Sequence, residues 1–115
     1  MIRRDGHYDI DLRENMRGGT GAVRIEHFWK KDELKSNTRL CARLTLDPGS
    51  SIGFHEHADE EEIFVVVSGQ ARATNGNDVK TLRPGDTLLT GGGAGHAVEA
   101  TGADPLVLFA VIVQY

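Results

Sequence analysis

The strongest constraint on this chain is its punctuation. Asp47-Pro48-Gly49, Asn75-Gly76-Asn77-Asp78 and Arg83-Pro84-Gly85-Asp86 are clusters of turn residues that divide it into short pieces. The pieces between them alternate. In Arg39–Leu46, Leu40, Ala42, Leu44 and Leu46 fall on one side, and Arg39, Cys41, Arg43 and Thr45 on the other. A period of two is that of a β-strand. Val23–Trp29, Gln70–Thr74, Val79–Leu82, Thr87–Thr90, His96–Ala100 and Leu106–Val113 read as further strands. The β-branched and aromatic run Ile63–Val67 is predicted to be covered on both faces. Asn75-Gly76 between two strands is a hairpin cue. Only Lys30–Lys35 offers a helical turn, with Asp32 as a possible cap. Strands at this spacing predict an all-β sandwich or barrel. Residues 23–115 are predicted to form one barrel. Residues 1–22 are predicted to be an arm, either disordered or an edge strand lent to a partner subunit.

Composition narrows the class. The 115 residues are 39% hydrophobic and 26% charged, ordinary values for one folded domain. The longest apolar run, Leu106–Val113, is far short of the ~20 residues of a membrane helix. No hydrophobic region follows the basic residues of Met1–Gly6, so no signal peptide is expected and the cytoplasm is the expected location. Cys41 is the only cysteine, which excludes an internal disulfide and a cysteine metal cluster. A net charge of −4 argues against a sequence-independent grip on nucleic acid.

The chemistry concentrates in Gly49–Gly69. On a strand, positions i and i+2 share a side, so His55 and His57 can aim two imidazoles at one point. Glu62, after a turn, can bring a carboxylate there from the next strand. His96, beyond the glycine-rich Gly91–Gly95, can supply a third imidazole. Three nitrogens and an oxygen make a plausible cage for a divalent metal.

These residues resemble the cupin superfamily. Its first motif, G-x5-H-x-H-x4-E-x6-G, is filled by Gly49, His55, His57, Glu62 and Gly69. Its second, G-x5-P-x-G-x2-H-x3-N, is matched by Gly85, Gly93 and His96, with Gly91 in place of proline and Ala100 in place of asparagine. The resemblance implies a double-stranded β-helix, or jelly roll, as a small single-domain cupin. It implies one divalent transition metal per chain (Mn, Fe, Ni, Co or Zn) held by His55, His57, Glu62 and His96. Such a metal, if six-coordinate, keeps two positions open for an oxygen ligand or for substrate with water or dioxygen. The glycine at 91 leaves two readings open: a loop that moves with substrate, or glycines that satisfy unusual backbone angles.

Other residues stay two-sided at this level. Arg43 can anchor a substrate carboxylate or lie on the surface. Arg72 carries the same choice. Phe54 can wall the pocket or pack in the core. Asp59, Glu60 and Glu61 are predicted to form a solvated turn, His7 to be ordinary, and His27 to be ordinary unless its strand points it inward. Cys41 has no basic neighbour to activate it. Phe28 and Trp29 are expected in a core or a subunit contact.

No residue reads as a catalytic acid or base, because Glu56 and Glu99 face away from the ligand side by alternation. The resulting expectation is a metal-dependent enzyme, of oxygenase or decarboxylase type, acting on a small oxygen-bearing metabolite. The alternatives are a non-catalytic small-molecule binder or sensor, or a metal-dependent sugar isomerase. A homodimer is expected, paired through residues 1–30 and the apolar end Val111–Tyr115, since open sheet edges need covering.

Overall fold

The computed structural model describes residues 1–115 and is built almost wholly of antiparallel strands. In chain order these are β1 (Asp9–Glu14), β2 (Ala22–His27), β3 (Thr38–Leu46), β4 (Ser51–Glu56), β5 (Glu60–Ser68), β6 (Ala71–Asn75), β7 (Asp78–Leu82), β8 (Thr87–Gly91), β9 (Gly95–Ala100) and β10 (Leu106–Gln114). A six-stranded sheet runs β1-β2-β3-β10-β5-β8, and a four-stranded sheet runs β4-β9-β6-β7. The two sheets face each other as a double-stranded β-helix. The helical turn expected within Lys30–Lys35 is a single 3-10 turn, Lys31–Glu33. No helix is long and apolar enough to cross a membrane.

Alternation decides what is inside. Ala42, Leu44 and Leu46 of β3, Phe64 and Val66 of β5, and Leu106, Leu108 and Ala110 of β10 point between the sheets and are buried. They meet Ile52, Ala71, Ala73, Val98 and Ala100 from the smaller sheet. The Asn75-Gly76 cue holds: β6 and β7 pair Asn75 with Asp78 across the turn, and Gly76 has a φ of 61°. The expectation that Ile63–Val67 is covered on both faces fails. Only Phe64 and Val66 point in, while Ile63, Val65 and Val67 are 37%, 36% and 41% exposed on the outer face. The run is apolar on both sides, yet within this chain nothing covers the outer one.

The first residues join the same chain's sheet. β1 pairs with β2 from Asp9–His27 to Glu14–Ala22 and forms one edge. A tight turn around Met16–Gly18 follows, with Asn15 and Arg17 both left-handed (φ 50° and 55°). That turn lies on β4 so closely that glycine is required at both contact points. A Cβ on Gly53 would overlap the Arg17 carbonyl, and one on Gly19 would overlap the Ser51 carbonyl. Ser51 N donates to Thr20 O (2.8 Å) and fixes the contact. The amino-terminal segment is thereby one wall of the barrel.

Candidate metal centre

His55, His57, Glu62 and His96 converge, with their ligand atoms all within 4.8 Å of one another. Each arrives by a separate local device. His55 of β4 lies directly across the ladder from His96 of β9. His57 sits just past β4, where its backbone is clamped: its N–H donates to Ala94 O (3.0 Å) and its carbonyl accepts from Gly93 N (2.8 Å). Glu62 of β5 pairs with Thr90 of β8. His57, Glu62 and His96 are buried and His55 is half-buried.

The imidazole orientations are fixed from behind. His55 Nδ1 meets the Gly53 carbonyl at 2.8 Å, His57 Nδ1 meets Glu60 Oε1 at 2.8 Å, and His96 Nδ1 meets Thr90 Oγ1 at 2.9 Å. A carbonyl and a carboxylate only accept, so in His55 and His57 the Nδ1 carries the proton and Nε2 keeps its lone pair. Phe64 stacks on the His96 ring at 5.0 Å, nearly parallel. Burial, chiefly, with His96 and His57 adding repulsion, holds His55 below the ordinary imidazole value and so in the neutral form.

The Nε2 atoms converge, those of His55 and His57 with their lone pairs free. His55–His96 and His57–His96 are 3.1 Å apart, and Glu62 Oε1 lies 3.1 Å from His57 Nε2 and 3.0 Å from His96 Nε2. Four donor atoms this close together suit a single cation placed between them. Bonds of about 2.1 Å put neighbouring octahedral ligands roughly 3.0 Å apart and tetrahedral ones about 3.4 Å apart. The four spacings are close to the octahedral edge, and the whole set of ligand atoms lies within 4.8 Å. The residues fit a divalent metal that imidazole and carboxylate suit, such as Mn, Fe, Co, Ni or Zn.

Behind His57 stands a feature that sequence reasoning missed. Glu60 does not belong to a solvated turn. Arg39 grips its carboxylate with two bonds, of 2.9 and 2.8 Å, and His57 donates to it. The Arg39 hydrogen bond first, and the His57 bond after it, lower the Glu60 carboxyl to about 2. Asp59, with a φ of 58°, turns the chain so that Glu60 faces inward where a regular turn would expose it.

A cavity of about 230 Å³ opens onto His55, His57 and Glu62. Ile25, Leu44, Ile52, Phe64 and Ile112 wall it, and Arg13, Arg17, Arg39 and His27 supply its basic groups. His27 does point inward, and Asp11 of β1 holds its Nε2 at 2.7 Å. Arg43 lies elsewhere. It sits on the outer face of β3, in a bidentate pair with Glu26 (3.0 and 2.9 Å), a bond to Asp5 (2.7 Å) and a place over the Tyr8 ring. It does not line the cavity. Phe54 does not line it either: it is 53% exposed, on the far side of β4, where Gly95 makes room for its ring. Arg72 is an exposed partner of Glu99. Cys41 is a free thiol that burial pushes up, so nothing activates it. In the glycine loop Gly92 and Gly93 have φ of 64° and 88°, and the loop is bonded to His57. The geometry supports the backbone-angle reading for Gly92 and Gly93, whereas Gly91 is not left-handed and a Cβ there would overlap Glu61.

Comparison with known proteins agrees with this geometry. The family model described as "Cupin domain" matches residues 42–112. An oxalate-binding protein of Thermotoga maritima is 38% identical over 114 residues, covering 98% of this chain and 93% of the relative. The mannose-1-phosphate guanylyltransferase ManC of Salmonella typhimurium is 36% identical over 83 residues, but that alignment takes in only 17% of its length. A crystal structure from Thermotoga maritima, described as that of a predicted oxalate decarboxylase, superimposes with a TM-score of 0.95 at 34% identity over 100% of both chains. A cupin 2 conserved barrel domain protein of Salinispora arenicola gives 0.76 at 20% identity, over 99% of this chain and 88% of that one, and shows the fold alone. With most of its barrel matched by the family model and a relative aligned almost end to end, the chain belongs to the cupin family.

Proposed function

We propose that this protein holds one divalent transition metal through His55, His57, Glu62 and His96, and binds a small carboxylate anion of the oxalate class beside it. The observation that carries this reading is the convergence of three imidazoles, two with a fixed Nε2 lone pair, and one carboxylate at the floor of a walled cavity. The name of the Thermotoga maritima relative, an oxalate-binding protein, supports the ligand class. A metal there would supply Lewis acidity to a carboxylate oxygen, or redox chemistry if its identity allows. This chain's own residues keep the site dry on its apolar side and hold His55 and His57 in the tautomer that ligation needs.

Turnover is the second reading, as a decarboxylase or an oxygenase, and one observation favours it. His27 is an ionisable group in the same cavity, outside the ligand cluster and oriented by Asp11. Loss of CO2 leaves an electron pair on carbon that must take a proton, and His27 is placed to give one.

Oxalate added to metal-loaded protein tests the binding reading. Saturation should raise stability by RT ln(1 + [L]/Kd), about 2.7 kcal/mol at a hundred times Kd. No stabilisation at millimolar oxalate, with metal present, contradicts it. Release of CO2 from the same mixture, lost in His27→Gln while oxalate binding persists, would establish turnover.

A further inference from the structure

We propose that the cavity carries a second anion subsite at its mouth, built from Arg13 and Arg17, which selects dicarboxylates longer than oxalate. This rests on the metal-bound carboxylate reading above and names the ligand class more narrowly. Four basic side chains line the cavity, and two of them already have a carboxylate partner. Arg39 is held by Glu60, and His27 by Asp11. Arg13 and Arg17 have no carboxylate within ion-pair distance, although both are exposed at the opening. Two free guanidinium groups beside one cavity are matched by an anion, and the planar fork of arginine suits a carboxylate.

The way Arg17 is held points in the same direction. It sits in the left-handed region (φ 55°, ψ 32°) without being glycine, and Asn15 two residues earlier does the same. Such conformations persist only where surrounding contacts over-determine them, and they gather at ligand sites. Here the contacts are visible. Asn15 N donates to Gly21 O (2.9 Å), Gly18 N to Asn15 O (3.0 Å), and Gly19 and Gly53 let the turn dock on β4. Met16, between the two strained residues, lines the cavity as well.

The wall between the two ends completes the pattern. Leu40, Leu44, Ile52 and Phe64 offer no polar partner to the middle of a ligand. The complementary molecule has a chelating carboxylate at the metal, an aliphatic middle and a distal carboxylate at Arg13 and Arg17. Oxalate, with two carbons, fills the inner end alone.

The test uses the full chain loaded with Mn(II), or with Ni(II) if Mn(II) is not retained. Calorimetry at about 0.15 M salt, where long-range fields are screened, compares matched ligands. The pairs are malate against 2-hydroxybutyrate, and 2-hydroxyglutarate against 2-hydroxypentanoate. Within each pair the chelating end is shared and only the distal carboxylate differs. In at least one pair the wild type should prefer the diacid by about tenfold. Arg13→Gln with Arg17→Asn should remove that preference, asparagine being chosen because it tolerates the left-handed backbone. Oxalate affinity should stay within about twofold, which also reports an intact fold. Metal uptake without a diacid preference, or a preference that survives the double substitution, overturns the subsite and leaves the metal reading standing. A loss of oxalate affinity as large as that of the diacids also overturns it, since the arginines would then act on the whole site. Uptake of neither metal overturns the metal reading itself.

Discussion

Glu60 accepts a hydrogen bond from His57 Nδ1 at 2.8 Å while Arg39 grips the same carboxylate with two bonds. The pairing fixes one ligand imidazole with Nε2 free, and it makes that nitrogen a better donor to a cation. Removing Glu60 should therefore weaken the metal without touching a ligand. Glu60→Ala should lower metal affinity by about 10–100-fold, measured by competition with a chromophoric chelator. An unchanged affinity would show that His57 needs no support from behind.

Acid should act in two stages. Ligand imidazoles must be neutral, so metal affinity should fall as pH drops towards and below ~6. In the metal-free protein His55 has a folded value held below 6.5, so the unfolded chain takes up that proton first and stability declines from about 6.5 downward. Carboxylates supply the second stage. Glu26, Asp11 and Glu60 are depressed, by Arg43, His27 and Arg39 respectively. Their contributions are complete above the ordinary carboxyl range and lost as pH falls through the folded values, which for Glu60 means down to about 2. Denaturant unfolding from pH 7 to pH 2 checks both stages. A stability that rises on acidification would contradict the assignment of every one of these groups.

Arg43 should matter for folding and not for ligand. Glu26 is only 6% exposed, and Arg43 is its bidentate partner. Arg43→Met leaves that carboxylate buried and unpaired, at a cost of about 2 kcal/mol. Metal and oxalate affinities should not move. A variant of normal stability that loses oxalate would return Arg43 to the site.

The outer face of the larger sheet predicts a dimer. Across the strands, Val111, Ile63 and Leu89 lie in one row, and Phe109 and Val65 in the next. Ile63, Val65, Leu89 and Phe109 are each more than a third exposed. Two adjacent apolar rows, beside the Phe28 ring that packs on Phe109, would suit a second copy about a twofold axis. Sedimentation should give twice 12.5 kDa, and Phe109→Asp should return it to 12.5 kDa. A wild-type monomer at working concentration would sink the pairing.

The floor of the site was readable in the sequence and its walls were not. His55 and His57 are two apart, so alternation pairs them, and the cupin motif offsets add Glu62 and His96. Glu60 was hidden among Asp59, Glu60, Glu61 and Glu62, where only the inward turn at Asp59 picks it out. Arg39 and Arg43 share a side by simple alternation, yet only Arg39 reaches the cavity. The pairing of β3 with β10 shifts register between Ile112 and Val113, next to Leu40, and alternation breaks there. Arg13, Arg17 and His27 come from the amino-terminal strand, turn and second strand. His27 is placed by the pairing of β2 with β3, and the Met16–Gly18 turn reaches the site by docking on β4 through glycines far apart in sequence.

The central claim is that four converging side chains hold a metal. Elemental analysis of the purified protein beside His57→Ala tests it most directly. The wild type should carry about one divalent metal per chain, and the variant should lose it. A wild-type protein that carries no metal and takes none up on soaking, while remaining folded, would contradict it.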